Sequence, residues 1–215
     1  MTIANKRNIP MLEIPRSELD RLTDGSVHQG VAMQIPPYKY PDATDLVLDT
    51  MERWHSGKLS TPPLFVALDG ITDPRNLGAI IRSVSAFSGD GVIIPERRSA
   101  AVTAGAWKTS AGAAARIPVA MATNLTRVIQ QAKEQGIFVI GLDGGGDIEL
   151  PALELANEPL CVVVGSEGKG LSRLVTENCD QIVSIPIDSA MESLNAAMAV
   201  GITLYDVSRR RATAN

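Results

Sequence analysis

Six short, largely apolar runs recur through the second two-thirds of the chain: Leu64–Leu68, Gly91–Ile94, Ile117–Ala120, Ile137–Leu142, Leu160–Val164 and Gln181–Ile185. Runs this short, with little polar alternation, predict strands buried on both faces. Between them lie segments with apolar residues at helical spacing: Leu77–Ser88, Thr103–Thr109, Leu125–Gln135, Ser172–Asn178, and a long last one from Ser193 to Arg210. This alternation predicts an α/β fold, a mostly parallel sheet with helices on both faces. Gly141-Leu142-Asp143-Gly144-Gly145-Gly146 has no clear helix after it and reads as a loop.

The pattern is weaker upstream. Pro10, Pro15, Pro36, Pro37 and Pro41 punctuate residues 1–45, where only Ser17–Leu22 suits a short helix. Asp45–Trp54 has helical spacing and Gly57 as a stop. Pro62-Pro63 then opens the main domain. The division expected is 1–60, a linker and remnant of an N-terminal domain, and 61–215, the sheet domain.

A chain of 215 residues and 45% hydrophobic content supports a full core. The net charge of −4 argues against a general nucleic-acid coat, so any cationic surface must be local. Arg75, Arg82, Arg97, Arg98, Lys108 and Arg116 lie in or near predicted loops. No apolar stretch is long enough to span a membrane, and no signal pattern opens the chain. Cys161 and Cys179 suit reduced thiols, hence a cytoplasmic protein. His28 and His55 lack ligand spacing to them, so no metal is expected.

The chemistry-bearing residues gather just past three of the runs. Asn76-Leu77-Gly78-Ala79-Ile80-Ile81-Arg82 follows the first, Gly165-Ser166-Glu167-Gly168-Lys169-Gly170 the fifth, and Pro186 to Asn195 the sixth. In parallel α/β sheets ligands bind beyond the carboxyl ends of strands, so these loops read as one site. Glycines let a ligand approach the backbone, Arg82 is a fixed cation, Glu167 a carboxylate, and Ser193 and Asn195 neutral hydrogen-bonding groups. The middle loop lacks phosphate-loop spacing, and Gly141–Gly146 lacks the dinucleotide spacing because Glu149 stands where its last glycine belongs. The Arg209–Arg211 run reads as ordinary charge at a helix C-terminus.

These three stretches resemble the three motifs of the SpoU branch of the SPOUT methyltransferases, over about Pro63 to the C-terminus. Val27-His28-Gln29-Gly30-Val31 resembles, more weakly, the stretch joining two domains in members acting on 23S ribosomal RNA. The resemblance implies a deep C-terminal trefoil knot, a homodimer, S-adenosylmethionine as cofactor and RNA as partner. It implies methyl transfer to a ribose 2′-hydroxyl, most closely at a guanosine of 23S ribosomal RNA. Transfer-RNA and antibiotic-resistance members share these motifs; a non-catalytic RNA-binding or ribosome-assembly factor would keep the fold without turnover, and intact Arg82, Glu167, Ser193 and Asn195 weigh against it. By the same resemblance Arg82, Glu167, Ser193, Asn195 and Asn76 are the catalytic set. Gly165, Ile185, Leu194, Leu142 and Val164 border the cofactor, and no metal is involved. The family's N-terminal domain is larger than residues 1–30 could form, so independent RNA capture by this chain is expected to be weak. Whether Arg82, Glu167 or water takes the hydroxyl proton stays open, since a guanidinium holds its proton in ordinary sites.

Overall fold

The structure, a computed structural model, describes residues 2–25 and 27–213. It divides into two compact units, Met1–Tyr38 and Lys39–Asn215. In the first, α1 (Thr2–Lys6) and α2 (Arg16–Leu22) are short, and α2 buries no residue. Glu18 and Arg21 pair along α2. His28 Nε2 lies 2.8 Å from Asp20 Oδ1, and its Nδ1 accepts the Gly30 N–H at 2.9 Å. The Val27–Val31 stretch is therefore a turn folded onto α2.

The second unit opens with α3 (Ala43–His55), capped by the Asp42 carboxylate on the N–H groups of Thr44 and Asp45. Then come β1 (Leu64–Asp69), α4 (Pro74–Ala86), β2 (Gly91–Pro95), α5 (Ala104–Thr109), β3 (Val119–Ala122), α6 (Leu125–Glu134) and β4 (Phe138–Leu142). A two-residue strand β5 (Ile148–Glu149), β6 (Leu160–Gly165), α7 (Arg173–Asn178), β7 (Gln181–Ser184) and α8 (Ala196–Thr213) complete it. The strands form one sheet of seven, in the order β3-β2-β1-β6-β4-β7-β5, with every pairing parallel.

Side chains alternate between the two sheet faces. Phe65, Ala67, Val139, Cys161 and Val163 point to one face, where they pack with Ala43, Val47 and Met51 of α3, Val128 and Ile129 of α6 and Val175 of α7. Their strand neighbours Leu64, Val66, Leu68, Ile140 and Val162 are equally buried towards the other face. There α4, α5 and α8 pack together. Gly78 is the contact point of α4 with α5, since a Cβ there would stand 2.5 Å from the Ala106 carbonyl oxygen.

Four details differ from the sequence-based expectation. The division falls after Tyr38 rather than near residue 60, because α3 contributes Ala43, Val47 and Met51 to the sheet core. β3 starts at Val119 rather than Ile117, since the Ile117 N–H is taken by Ala113 O. α8 starts at Ala196 rather than Ser193, for a capping reason given below. β5, along the edge of β7, was not expected; Gly146 permits it, because a Cβ there would meet the β7 backbone at 2.7 Å.

Arg210 and Arg211 do more than face a helix dipole. Arg210 donates to the carbonyls of Leu150, Pro151 and Leu153, and Arg211 to those of Pro62, Ala156 and Glu158. Arg211 is 9% exposed, and burial pushes its pKa down to about 10 despite the nearby Asp90 charge. That value still leaves it a cation at neutral pH. Together the two side chains fasten the end of α8 to the segments flanking β6 and β1.

Candidate functional site

β1 ends at Asp69, in register with Gly165 at the end of β6. The chain then turns through Gly70, at φ +79°, and enters α4. Asp73 caps that helix by accepting the Arg75 N–H at 2.8 Å, and Pro74 occupies its first position. Asn76 is thus held on the first turn, half-buried.

The loop after β6 is folded back on itself. Ser166 and Gly170 exchange backbone hydrogen bonds of 3.1 and 2.9 Å. Gly168 and Gly170 take left-handed φ values of 78° and 64°, which glycine adopts without strain. Asp69 Oδ2 accepts the Ser172 N–H at 2.6 Å and ties the loop to the end of β1. Asp69 was not among the residues expected at the site; an Asp-Gly pair closing a strand is its only trace in the sequence. The loop presents Glu167, exposed, at its turn.

The third loop, after β7, contains a turn in which Asp188 accepts the Ala190 N–H at 2.9 Å. It leads to Asn195, whose Oδ1 accepts the N–H groups of Ala197 (3.0 Å) and Met198 (3.3 Å). Asn195, not Ser193, is therefore the cap of α8, and the helix begins one residue later.

Three of the five residues expected to be catalytic meet. Asn195 Nδ2 donates to Glu167 Oε1 at 2.6 Å and to Asn76 Oδ1 at 3.1 Å. Asn76 Nδ2 donates to the same Glu167 oxygen at 3.0 Å. Arg82 and Ser193 are not brought into this contact. Arg82 lies six residues past Asn76, about 9 Å along the helix axis. Its exposed guanidinium makes no hydrogen bond or ion pair among the described residues. It shares a helix face with Arg75, seven residues earlier. Ser193 is exposed and likewise makes no hydrogen bond among the described residues.

The five residues expected to border a cofactor lie beside this trio. Leu142 pairs with Val164 across β4 and β6 and with Val183 across β4 and β7. The ends of β6, β4 and β7 thus place Val164, Gly165, Leu142 and Ile185 along one edge. Leu142 and Val164 are 8% and 4% exposed, while Ile185 and Leu194 are half-buried. The Leu194 N–H has no partner among the described residues. Apolar side chains with a free backbone donor suit an adenosine and its polar edge. Gly165 serves the chain itself, since a Cβ there would stand 2.1 Å from the Gly170 carbonyl carbon.

Other groups fall out of the chemistry. Burial pushes the Cys161 thiol up to about 12 and the Cys179 thiol to about 11, so neither is a ready nucleophile. Among the described residues no group of three or more His, Cys, Asp or Glu could hold a metal, and no helix is long and apolar enough to cross a membrane. A groove of about 650 Å³ runs between α4 and α8. Asn76 and Asn195 line it, and so do Phe87 and Tyr205, whose rings meet edge to face at 5.9 Å. The two helices therefore run side by side in the same direction.

Comparison with known proteins gives this arrangement a context. Residues 63–205 match the model of the SpoU rRNA Methylase family, and residues 1–41 match that of RNA 2′-O ribose methyltransferase substrate binding. A tRNA/rRNA methyltransferase of Mycobacterium avium, itself uncharacterized, is 59% identical over 203 residues, covering 94% of this chain and 63% of its own length. A counterpart from Mycobacterium marinum is 56% identical over 206 residues, covering 95% of this chain and 64% of its own. The chain thus spans a little under two-thirds of these curated relatives. Among solved structures, the SpoU methyltransferase AviRb of Streptomyces viridochromogenes, in complex with AdoMet, has a TM-score of 0.66 and 30% identity, covering 72% of this chain and 60% of that one. The AdoMet-bound rRNA methyltransferase of Sinorhizobium meliloti has a TM-score of 0.67 and 25% identity, covering 80% and 61%.

Proposed function

Since the chain belongs to the SpoU rRNA methylase family, we propose that it transfers a methyl group from S-adenosylmethionine to a ribose 2′-hydroxyl of RNA. One observation carries the reading: the amides of Asn76 and Asn195 converge on one carboxylate oxygen of Glu167, beside the apolar strand ends of Leu142 and Val164. The substrate favoured is ribosomal RNA, at a guanosine of 23S; transfer RNA is the alternative within the family.

In this proposal Leu142, Val164, Ile185 and Leu194 hold the cofactor's adenosine, and the backbone of Gly165 lines its path. The cofactor, when bound, supplies an electrophilic methyl on a sulfonium. Bound there, it would serve as the methyl donor to the ribose oxygen, with sulfur as the leaving group. The hydroxyl proton leaves to Glu167. Arg82 is a fixed cation facing the developing charge on oxygen or an adjacent phosphate, as its guanidinium is uncommitted. Ser193 completes the set as a contact to bound substrate. Arg97 and Arg98, exposed past β2, meet the RNA backbone, and residues 1–41 add to RNA capture. The active species is a cytoplasmic homodimer, with the α4–α8 groove covered by a second copy. A C-terminal trefoil knot belongs to the same reading; the fastening of α8 by Arg210 and Arg211 supports it.

The test is transfer of tritium from methyl-labelled S-adenosylmethionine to transcripts of 23S ribosomal RNA and of transfer RNA, with the modified ribose mapped. Calorimetry with S-adenosylhomocysteine and with NAD runs beside it. Binding of the first without the second, with label on a ribose 2′-oxygen, is expected. Binding of NAD alone overturns the reading in favour of an oxidoreductase. RNA binding with neither cofactor overturns it in favour of a non-catalytic factor.

A further inference from the structure

Asn195 is bonded on both sides of its amide. Its oxygen is consumed by the first N–H groups of α8, at 3.0 and 3.3 Å. A backbone N–H can only donate, so the amide cannot flip without losing the cap. Its NH2 must then face the opposite way, where it reaches Glu167 Oε1 and Asn76 Oδ1. Asn76 is oriented in turn. Its oxygen is taken by Asn195, so its own NH2 points at Glu167 Oε1. The start of α8 thus dictates the direction of every hydrogen bond down to one carboxylate oxygen.

Both donors converge on Oε1, and none among the described residues reaches Oε2. An oxygen already accepting two N–H groups has no room for a further proton donor, whereas Oε2 has both lone pairs free. We infer that Asn76 and Asn195 are positioning residues that reserve Glu167 Oε1, leaving Oε2 as the atom that receives the ribose hydroxyl proton. This rests on the methyl-transfer reading above. It gives the two asparagines a role without contact to substrate, and it makes the seating of α8 a condition for the site's alignment.

Asn195→Ser separates the cap from the relay. Serine caps a helix as well as asparagine does, but it has no NH2 for Glu167 and adds no charge beside it. Single-turnover methyl transfer, cofactor affinity and thermal unfolding are measured for wild type, Asn195→Ser, Asn195→Ala, Asn76→Ala and the Asn76→Ala/Asn195→Ser double variant. Asn195→Ser should keep the wild-type Tm and S-adenosylhomocysteine affinity while its rate falls about ten- to a hundredfold. Asn195→Ala should lose a similar rate and also about 2–4 °C of Tm, because the cap is gone. The double variant should be no slower than the slower single one, as expected of groups that act as a unit. A wild-type rate for Asn195→Ser overturns the inference, as does a rate loss that tracks Tm across the set. Failure of wild type itself to methylate either RNA overturns the functional reading instead, so the two failures are distinct.

Discussion

Asn76 and Asn195 are 119 residues apart in sequence, and their side-chain amides meet at 3.1 Å. Further along, Phe87 at the end of α4 and Tyr205 midway along α8 meet edge to face at 5.9 Å. The helices are held together at two points, so the groove between them is a fixed feature of the fold. Met198 and Tyr205 on its rim are 58% and 56% exposed, more than an isolated apolar residue needs to be explained.

The proposal that a second copy covers that groove makes a direct prediction. Ile202→Asp puts a charge on the rim without touching the core. Sedimentation should show a dimer for wild type and a monomer for the variant, with Tm changed only at dimer-forming concentrations. A variant that sediments as wild type would remove this face from the interface.

Gly165→Ala should destabilise the fold. The added Cβ would overlap the Gly170 carbonyl, which is backbone and cannot swing aside. A loss of about 1–3 kcal/mol, or more if the loop cannot shift, is expected from overpacking of this kind. Thermal unfolding without ligand measures it. If Tm holds while cofactor binding is lost, the glycine serves the ligand rather than the chain.

Arg82 makes no hydrogen bond or ion pair among the described residues, so its replacement should leave Tm within about 1 °C of wild type. If it is the fixed cation of the site, Arg82→Ala should lower single-turnover transfer by about a hundredfold. Arg82→Lys, with the charge but not the planar fork, should fall between. Equal rates for Lys and Ala variants would mean that its charge is not what matters.

Asp90 supplies a pH signature. Burial raises its carboxyl above the ordinary value, outweighing the hydrogen bond to the Leu64 N–H and the charges of Arg211 and Arg53. The folded protein therefore keeps this proton to higher pH than the unfolded chain. The stabilisation it gives is complete below the unfolded value and is lost as pH rises through the folded one. Asp90→Asn keeps an acceptor for Leu64 and cannot ionise. Its stability relative to wild type should rise as pH increases above the ordinary aspartate range, as denaturant unfolding at a series of pH values would show. A constant difference over the series would contradict the burial effect.

The sheet was legible because its strands are buried on both faces, so Leu64–Leu68 and Leu160–Val164 stand out as uninterrupted apolar runs. β5 was not, because two residues carry no periodicity. The meeting of Asn76, Glu167 and Asn195 was foreseeable from three polar loops past three strand ends. Which amide atom faces which oxygen was not, because that follows from the cap at Asn195. Ser193 and Asn195 are equally good capping residues, and only the backbone path chooses between them. The run Arg209–Arg211 reads as generic helix-end charge. Nothing in it announces that Arg211 is buried against three carbonyls brought from residues 62, 156 and 158.

The Arg211–Pro62 contact spans 149 residues. It joins α8 to the residues just ahead of β1, so the carbonyl of Pro62 waits for its partner until residue 211 has been made. At about 5–20 residues per second on a ribosome, that wait is roughly 7–30 s. β2, one neighbour of β1, is made early, but β6, its other neighbour, also arrives late. One edge of β1 therefore stays unpaired through that interval, and the order of synthesis sets the order in which the centre of the sheet can close.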